Sequence, residues 1–271
     1  AGPQRFALDA AATAAGSLTL TLRVHHTWEQ SAWLDSVPTL RPLGEPSPHL
    51  RRLELVTRQG AVGGLVALLQ VGLTCLLVYA TDRRRRAYLW FGVQGLSAAT
   101  YPAFTLGWLT SLVGSLDLPV MEVGLLTALW TSVYFTHTFL ALGRSPRVLD
   151  AFLGLSVAVS CVVVGPFDAT RIAAPLVVLS VAAVIVYQLA TIVRRLAVAP
   201  PGARLGHVLL LLAWVALASS TWAELLFWWG LGDPLAGARP AGIALVFFAL
   251  FLSLLLSGSH GSALARSDAL N

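Results

Sequence analysis

No lysine occurs anywhere in the 271 residues, so all 18 basic side chains are arginines. A retinal-based pump or photoreceptor needs a lysine for its Schiff base, and that class is excluded. Charge of either sign is scarce: 11% of residues are charged, where soluble domains carry about 25%. With 56% hydrophobic residues and a mean hydropathy of +0.75, most of the chain belongs in lipid. The only cysteines, Cys75 and Cys161, fall inside apolar stretches, where they act as small hydrophobes and say nothing of redox compartment. The chain opens with no initiator methionine and no charged lead into an apolar signal core, so residue 1 reads as a cut or processed start. Heavy use of Ala, Leu, Val and Arg suits a GC-rich bacterial genome.

The net charge of +5 invites a nucleic-acid reading, but the placement of the arginines opposes it. Most lie in short turns between apolar segments, where they set topology and meet lipid headgroups. No nucleic-acid partner is expected. The most informative turn is Thr81–Arg86, with Arg83, Arg84, Arg85 and Arg86 adjacent. It separates Gly60–Ala80 from Ala87–Leu109, each about as long as the ~20 residues that cross a bilayer. Four neighbouring guanidinium groups resist translocation, so this turn is placed in the cytoplasm. Further spans are read at Pro119–Gly143, Val148–Gly165, Ile172–Val193, Leu205–Gly230 and Gly242–Ser257, with Thr110–Leu118 as a short apolar connection. The turns after spans one, three and five carry Arg83–Arg86, Arg144 with Arg147, and Arg194 with Arg195; the loops between hold only Arg171 and Arg239. Trp108, Phe227, Trp228 and Trp229 fall near outer ends, as an interfacial belt would. The expected fold is an all-α polytopic membrane protein: a seven-transmembrane helix bundle, N-terminus outside and C-terminus inside, in a bacterial inner membrane.

Residues 1–59 read as an extracytoplasmic β segment and linker. Arg5–Asp9 and Ser17–Val24 alternate with period two, the mark of half-buried strands. Pro38, Pro42, Pro46 and Pro48 then argue against regular structure as far as His49. Two strands alone are marginal, so the segment is expected to close a larger β-domain. His25 and His26 are read as solvated or interface residues, because adjacent strand positions face opposite ways. Residues 60–257 form the helical domain and 258–271 a cytoplasmic stub, the place for an output module.

Ionisable groups inside spans are costly and call for a hypothesis. Glu122, His137, His207 and Glu224 are such groups. At 1.5 Å per residue, Glu122 lies roughly 13 Å and Glu224 roughly 9 Å outside the midplane, with both histidines on the cytoplasmic side. One reading makes the two acids the polar floor of an outward-facing pocket lined by Tyr101, Trp130, Trp222 and Trp228, for a small-molecule ligand of unknown identity. The other has each acid hydrogen-bonded between helices or facing interfacial water. A zinc hydrolase lacks its pattern: no two histidines stand at i,i+4 and no His-Glu-x-x-His run exists. No catalytic residue, metal or cofactor is expected. Gly60–Gly64, Gly95–Ala99 and the stripe Ala213, Ala216, Ser220 and Ala223 offer small faces for close helix packing.

A resemblance then emerges. Leu76–Leu77–Val78–Tyr79–Ala80, Arg83–Arg86, Ala87–Tyr88–Leu89, Gly95–Leu96–Ser97 and Tyr101 form one matching stretch. Phe135–Thr136–His137–Thr138–Phe139–Leu140 ahead of Pro146 is a second, and Arg194–Arg195–Leu196 leading to Ala203–Arg204, Leu210, Ala213 and Trp214 a third. Together they resemble the bacterial seven-transmembrane receptors with diverse intracellular signalling modules. That resemblance implies a periplasmic β-sandwich before the first span, of which Ser17–Val24 with Pro38–Leu43 is similar to the final portion. It also implies a histidine kinase, diguanylate cyclase, adenylyl cyclase or phosphatase after the last span.

The expected function is that of a sensor, comparable to a two-component receptor, which couples an extracytoplasmic or membrane-embedded ligand to a C-terminal cytoplasmic module. The chain itself is not expected to be an enzyme. A homodimer would suit a kinase or cyclase output. A small-molecule transporter or permease is the alternative, with a seven-helix intramembrane hydrolase behind it; no inverted repeat is evident for the former. The topology has a direct check. Cysteines placed in Thr81–Arg86 are expected to react with a membrane-impermeant maleimide only from the cytoplasmic side, and labelling from the periplasm would overturn it.

Overall fold

The computed structural model describes residues 48–163, 165, 168–228 and 240–268. Every regular element among these described residues is helical, without a strand. The expected strands Arg5–Asp9 and Ser17–Val24 lie outside the described residues. The described chain begins with α1 (Pro48–Leu53), a π-helical stretch Glu54–Gln59 and α2 (Gly60–Thr81), one running into the next. Pro48 and His49, where the prolines argued against regular structure, are here the first residues of a helix. Proline at the first helical position loses no bond, since that N–H has no acceptor within the helix. An i,i+4 pair, Arg58 to Glu54 at 3.8 Å, then spans the π stretch.

α3 (Arg86–Ala98) and α4 (Thr100–Thr105) take up most of the second expected span, Ala87–Leu109. Pro102 has no N–H to give the carbonyl of Ala98, and the helix breaks at Ala99. Gly107, at φ 74°, takes the left-handed conformation that starts α5 (Trp108–Val113). A 3₁₀ turn, Gly114–Leu116, leads into α6 (Asp117–Phe139). Next come α7 (Arg147–Val162), a π stretch Ala169–Ala173, α8 (Ala174–Val198), α9 (Pro201–Trp228) and α10 (Ala241–Asp268). Two further boundaries move. Only Ala199 and Pro200 separate α8 from α9, where the expected spans Ile172–Val193 and Leu205–Gly230 left a longer connection, and α10 carries on through most of the expected stub. Among the described residues four stretches, Glu54–Thr81, Trp108–Phe139, Arg171–Val198 and Pro201–Leu226, are long and apolar enough to cross a membrane. This is a multi-pass, all-α membrane protein.

Glycines set the closest contacts. A Cβ on Gly92 would lie 3.0 Å from the Gly72 carbonyl oxygen, and one on Gly95 3.1 Å from that of Leu68, so α2 and α3 run antiparallel with backbones touching. α2 and α10 run parallel instead. Gly60 meets Ile243, Gly63 meets Val246, and Gly64 faces Gly242. α3 crosses α6 through Phe91 and Phe135, with ring centroids 5.2 Å apart, and through Trp90 stacked on Tyr134 at 4.7 Å. α9 meets α10 through Trp214 edge-on to Phe248. The main core draws Phe91, Phe135, Leu153, Ile192, Leu210, Trp214 and Leu252 from six helices.

These pairings bring the arginine turns to one end of the bundle. Tyr88, just after Arg83–Arg86, donates its hydroxyl to the Leu256 carbonyl at 3.1 Å. Gly206, just after Arg204, sits beside Leu255 and Phe139, and Phe139 leads into the turn holding Arg144 and Arg147. Gly60, Tyr101, Gly124, Glu224 and Ala241 mark the opposite end.

The seam between α2 and α10 makes a prediction. A Cβ on Gly242 would stand 2.6 Å from Ala61 N and Gly60 C, backbone atoms with no freedom to step aside. Gly242→Ala is expected to cost on the order of 1–3 kcal/mol and to lower Tm in detergent. Gly202→Ala, with nothing within 4 Å, leaves Tm unchanged. Equal melting of the two variants would refute the close approach.

Candidate functional site

At the end away from the arginine turns, two of the sequence-selected residues meet. Tyr101 of α4 donates its hydroxyl to Oε2 of Glu224 on α9. The other carboxylate oxygen, Oε1, accepts the Ala241 N–H at 2.8 Å. Ala241 is the first residue of α10, so Glu224 also places an acidic group at that helix's positive end. The side chain is buried, and its two oxygens bridge three helices.

Glu122 is placed differently. It is 1% exposed on α6, and neither carboxylate oxygen has a hydrogen-bond partner among the described residues. Gly124, two residues on and therefore on a nearly opposite face, is where α6 meets Thr100, the first residue of α4. Glu122 thus points away from α4 and does not join Glu224 and Tyr101. Asp117, at the start of α6, accepts from Thr110 at 2.5 Å and from its neighbour Leu118 N at 2.8 Å.

The tryptophans do not converge on the acids. Trp130 packs on α7: its Nε1 donates to Asp150 Oδ1 at 3.2 Å, and its ring covers Gly154. Trp222 is 43% exposed on the outside of α9. The Trp228 side chain lies outside what the structure describes. Asp150 is a hub that sequence reading missed, since Ser145 also donates to it, tying the α6–α7 turn to α7. Its only sequence signal was its place in the first turn of a helix, where an acid is ordinary.

The histidines take structural partners. His137 reaches the Gly143 carbonyl through Nδ1 at 2.8 Å and the Tyr187 hydroxyl through Nε2 at 2.6 Å, so it links α6, the following turn and α8. His207 turns its Nδ1 to Ala203 O on its own helix, at 2.8 Å. Among the described residues no three His, Cys, Asp or Glu side chains are grouped to hold a metal ion. A polar seam through the interior was also missed. Gln188 Nε2 donates to Ser132 at 3.3 Å, and Ser180 to Ser156 at 3.4 Å, each joining α8 to a neighbour.

At the arginine end, Asp82 organises the turn. Its Oδ1 accepts from Arg84 N at 3.1 Å and its Oδ2 from Arg85 Nε at 2.9 Å. The Arg83 guanidinium lies 5.1 Å above the Tyr79 ring, a cation–π contact. Arg86 is exposed where α3 begins. Arg194 and Arg195 are exposed in the last turns of α8, where the helix dipole favours cations. Arg204 Nε closes the α8–α9 connection on Ala199 O at 3.1 Å.

The family model described as 7TM diverse intracellular signalling matches residues 59–258. No curated protein and no solved structure matches the chain.

The turn carries its own pH dependence. The hydrogen bond from Arg85, with that from the Arg84 amide, holds the Asp82 carboxyl below the usual carboxylate range. A pKa lowered by folding gives stabilisation that is present above the ordinary value and lost as pH falls through the lowered one. The carboxyl ¹³C shift of Asp82 is therefore expected to titrate at lower pH than that of an ordinary aspartate. Titration at the ordinary value or above it would contradict this wiring, and Asp82→Asn should release the turn at every pH.

Proposed function

The chain belongs to the 7TM diverse intracellular signalling family, and from that premise we propose that it is a membrane receptor whose last helix delivers a signal to a cytoplasmic module. The proposed topology has seven crossings: α2, α3 with α4, α6, α7, α8, α9 and α10. The arginine end faces the cytoplasm of a bacterial cell, and the segment before α2 lies outside. The module is of kinase or cyclase type and carries the chemistry, while the helical domain itself is not an enzyme. Lipids are its surroundings, a small molecule its stimulus, and a homodimer its working state.

The observation that supports this reading best is the parallel seam of α2 and α10. The helix leading in from the N-terminal segment touches the last helix through Gly60, Gly64 and Gly242, with no side chain between the backbones. A displacement of α2 along or about its axis is therefore felt by α10 directly. Tyr88 holds α10 again at the far end, through Leu256 O. A ligand drives such a device only by its different affinity for two packings of the bundle.

Fusing the chain after Asn271 to a histidine-kinase core tests the reading. Gly64→Leu, which wedges the seam, is expected to change autophosphorylation several-fold. Leu77→Ala, on a position 68% exposed, should leave it unaltered. Equal activity in both variants, or solute flux through the chain in proteoliposomes, would sink it; flux would favour the transporter.

A further inference from the structure

We propose that Glu224 is a positioning residue, a buried clasp through which α4 governs how the first turn of α10 is seated. It deepens the receptor reading by naming where the output helix is held.

Three features carry it. α4 is six residues long, set off from α3 by the hydrogen bond that Pro102 cannot give and from α5 by left-handed Gly107. Tyr101 on this piece donates to one oxygen of Glu224, and the first N–H of α10 donates to the other at 2.8 Å. The carboxylate is buried, so these charge-assisted bonds act in a medium of low dielectric, where both their presence and their loss weigh more. α4 itself packs mainly on α2 and α6. The hydrogen-bonded route from α4 to the start of α10 runs through α9, by way of Glu224. A push on α4 thus pulls the carboxylate, and the carboxylate pulls Ala241.

A carboxylate suits this post for a reason of inventory. It accepts on both oxygens with its full charge, whereas a carboxamide keeps both partners only by turning its NH2 to the Tyr101 oxygen, and the bonds are then neutral and weaker. Aspartate keeps the charge but is shorter by a methylene and does not reach both partners. Charge alone is then insufficient, and length and acceptor count decide.

The test is amide hydrogen exchange of the full chain in lipid nanodiscs, with no ligand and no output module. Tyr101→Phe, which removes a hydroxyl that is not on α10, is expected to speed exchange in the Ala241–Ala244 turn several-fold. Glu224→Gln and Glu224→Asp should speed it roughly tenfold, the scale of one lost charge-assisted hydrogen bond. The double variant Tyr101→Phe with Glu224→Gln should exceed Glu224→Gln alone by nothing. Exchange in α6 and near Leu252–Leu256 should stay unchanged, which general loosening of the bundle would not allow. Wild-type exchange at Ala241–Ala244 in Tyr101→Phe overturns the clasp, and so does a rise spread evenly along α10. A silent kinase fusion would count against the receptor reading and leave this result standing.

Discussion

In lipid, helices gain nothing by hiding apolar surface from each other, because the acyl chains are as apolar as leucine. What holds this bundle is therefore close approach and interhelical hydrogen bonding. Gly60, Gly64 and Gly242 let α2 and α10 touch, and Gly72, Gly92 and Gly95 do the same for α2 and α3. Side chains finish the joints: Glu224 across α4, α9 and α10, His137 across α6 and α8, Trp130 with Asp150 across α6 and α7.

This construction explains why the first and last membrane helices are so closely coupled. A leucine-lined interface tolerates sliding, since its dispersion contacts re-form after a small shift. A backbone-to-backbone interface does not, because any rotation brings a neighbouring side chain into the gap. The parallel pair α2 and α10 is of the second sort. Its parallel direction is what the proposed seven crossings require, and in that proposed topology it lies next to the segment leading in from the N-terminal side. The ring of intervening helices then acts as a frame that holds α10 at two heights, through Glu224 and through Tyr88.

Legibility differed between kinds of feature. The apolar runs, the arginine turns and the small-residue faces at Gly60–Gly64 and Gly95–Ala99 are local, and each could be read where it stood. The break that Pro102 makes in its span is equally local, since it follows from one missing N–H. The helical lead Pro48–Gln59 was hidden by prolines that forbid a helix interior but allow its first turn. Glu122 and Glu224 looked alike as single acids inside apolar spans. Only packing separates them: one is tied to two partners, while the other is buried with both oxygens unpaired among the described residues. Trp130 was placed with the acids as a pocket-lining aromatic, yet its face of α6 turns it toward α7.

The sequence by itself determined that this is an all-α membrane chain, which segments are apolar, and which turns hold the arginines, since hydropathy and charge act residue by residue against a fixed solvent. The tertiary structure alone decided which helix neighbours which. It fixed that Gly242 lies against Gly60 and Gly64, and that Tyr101 and Glu224 share one bond across 123 positions of chain. Depth along a helix follows from counting residues. The direction a side chain faces, and what waits there, depends on rotations and partners that no single segment contains.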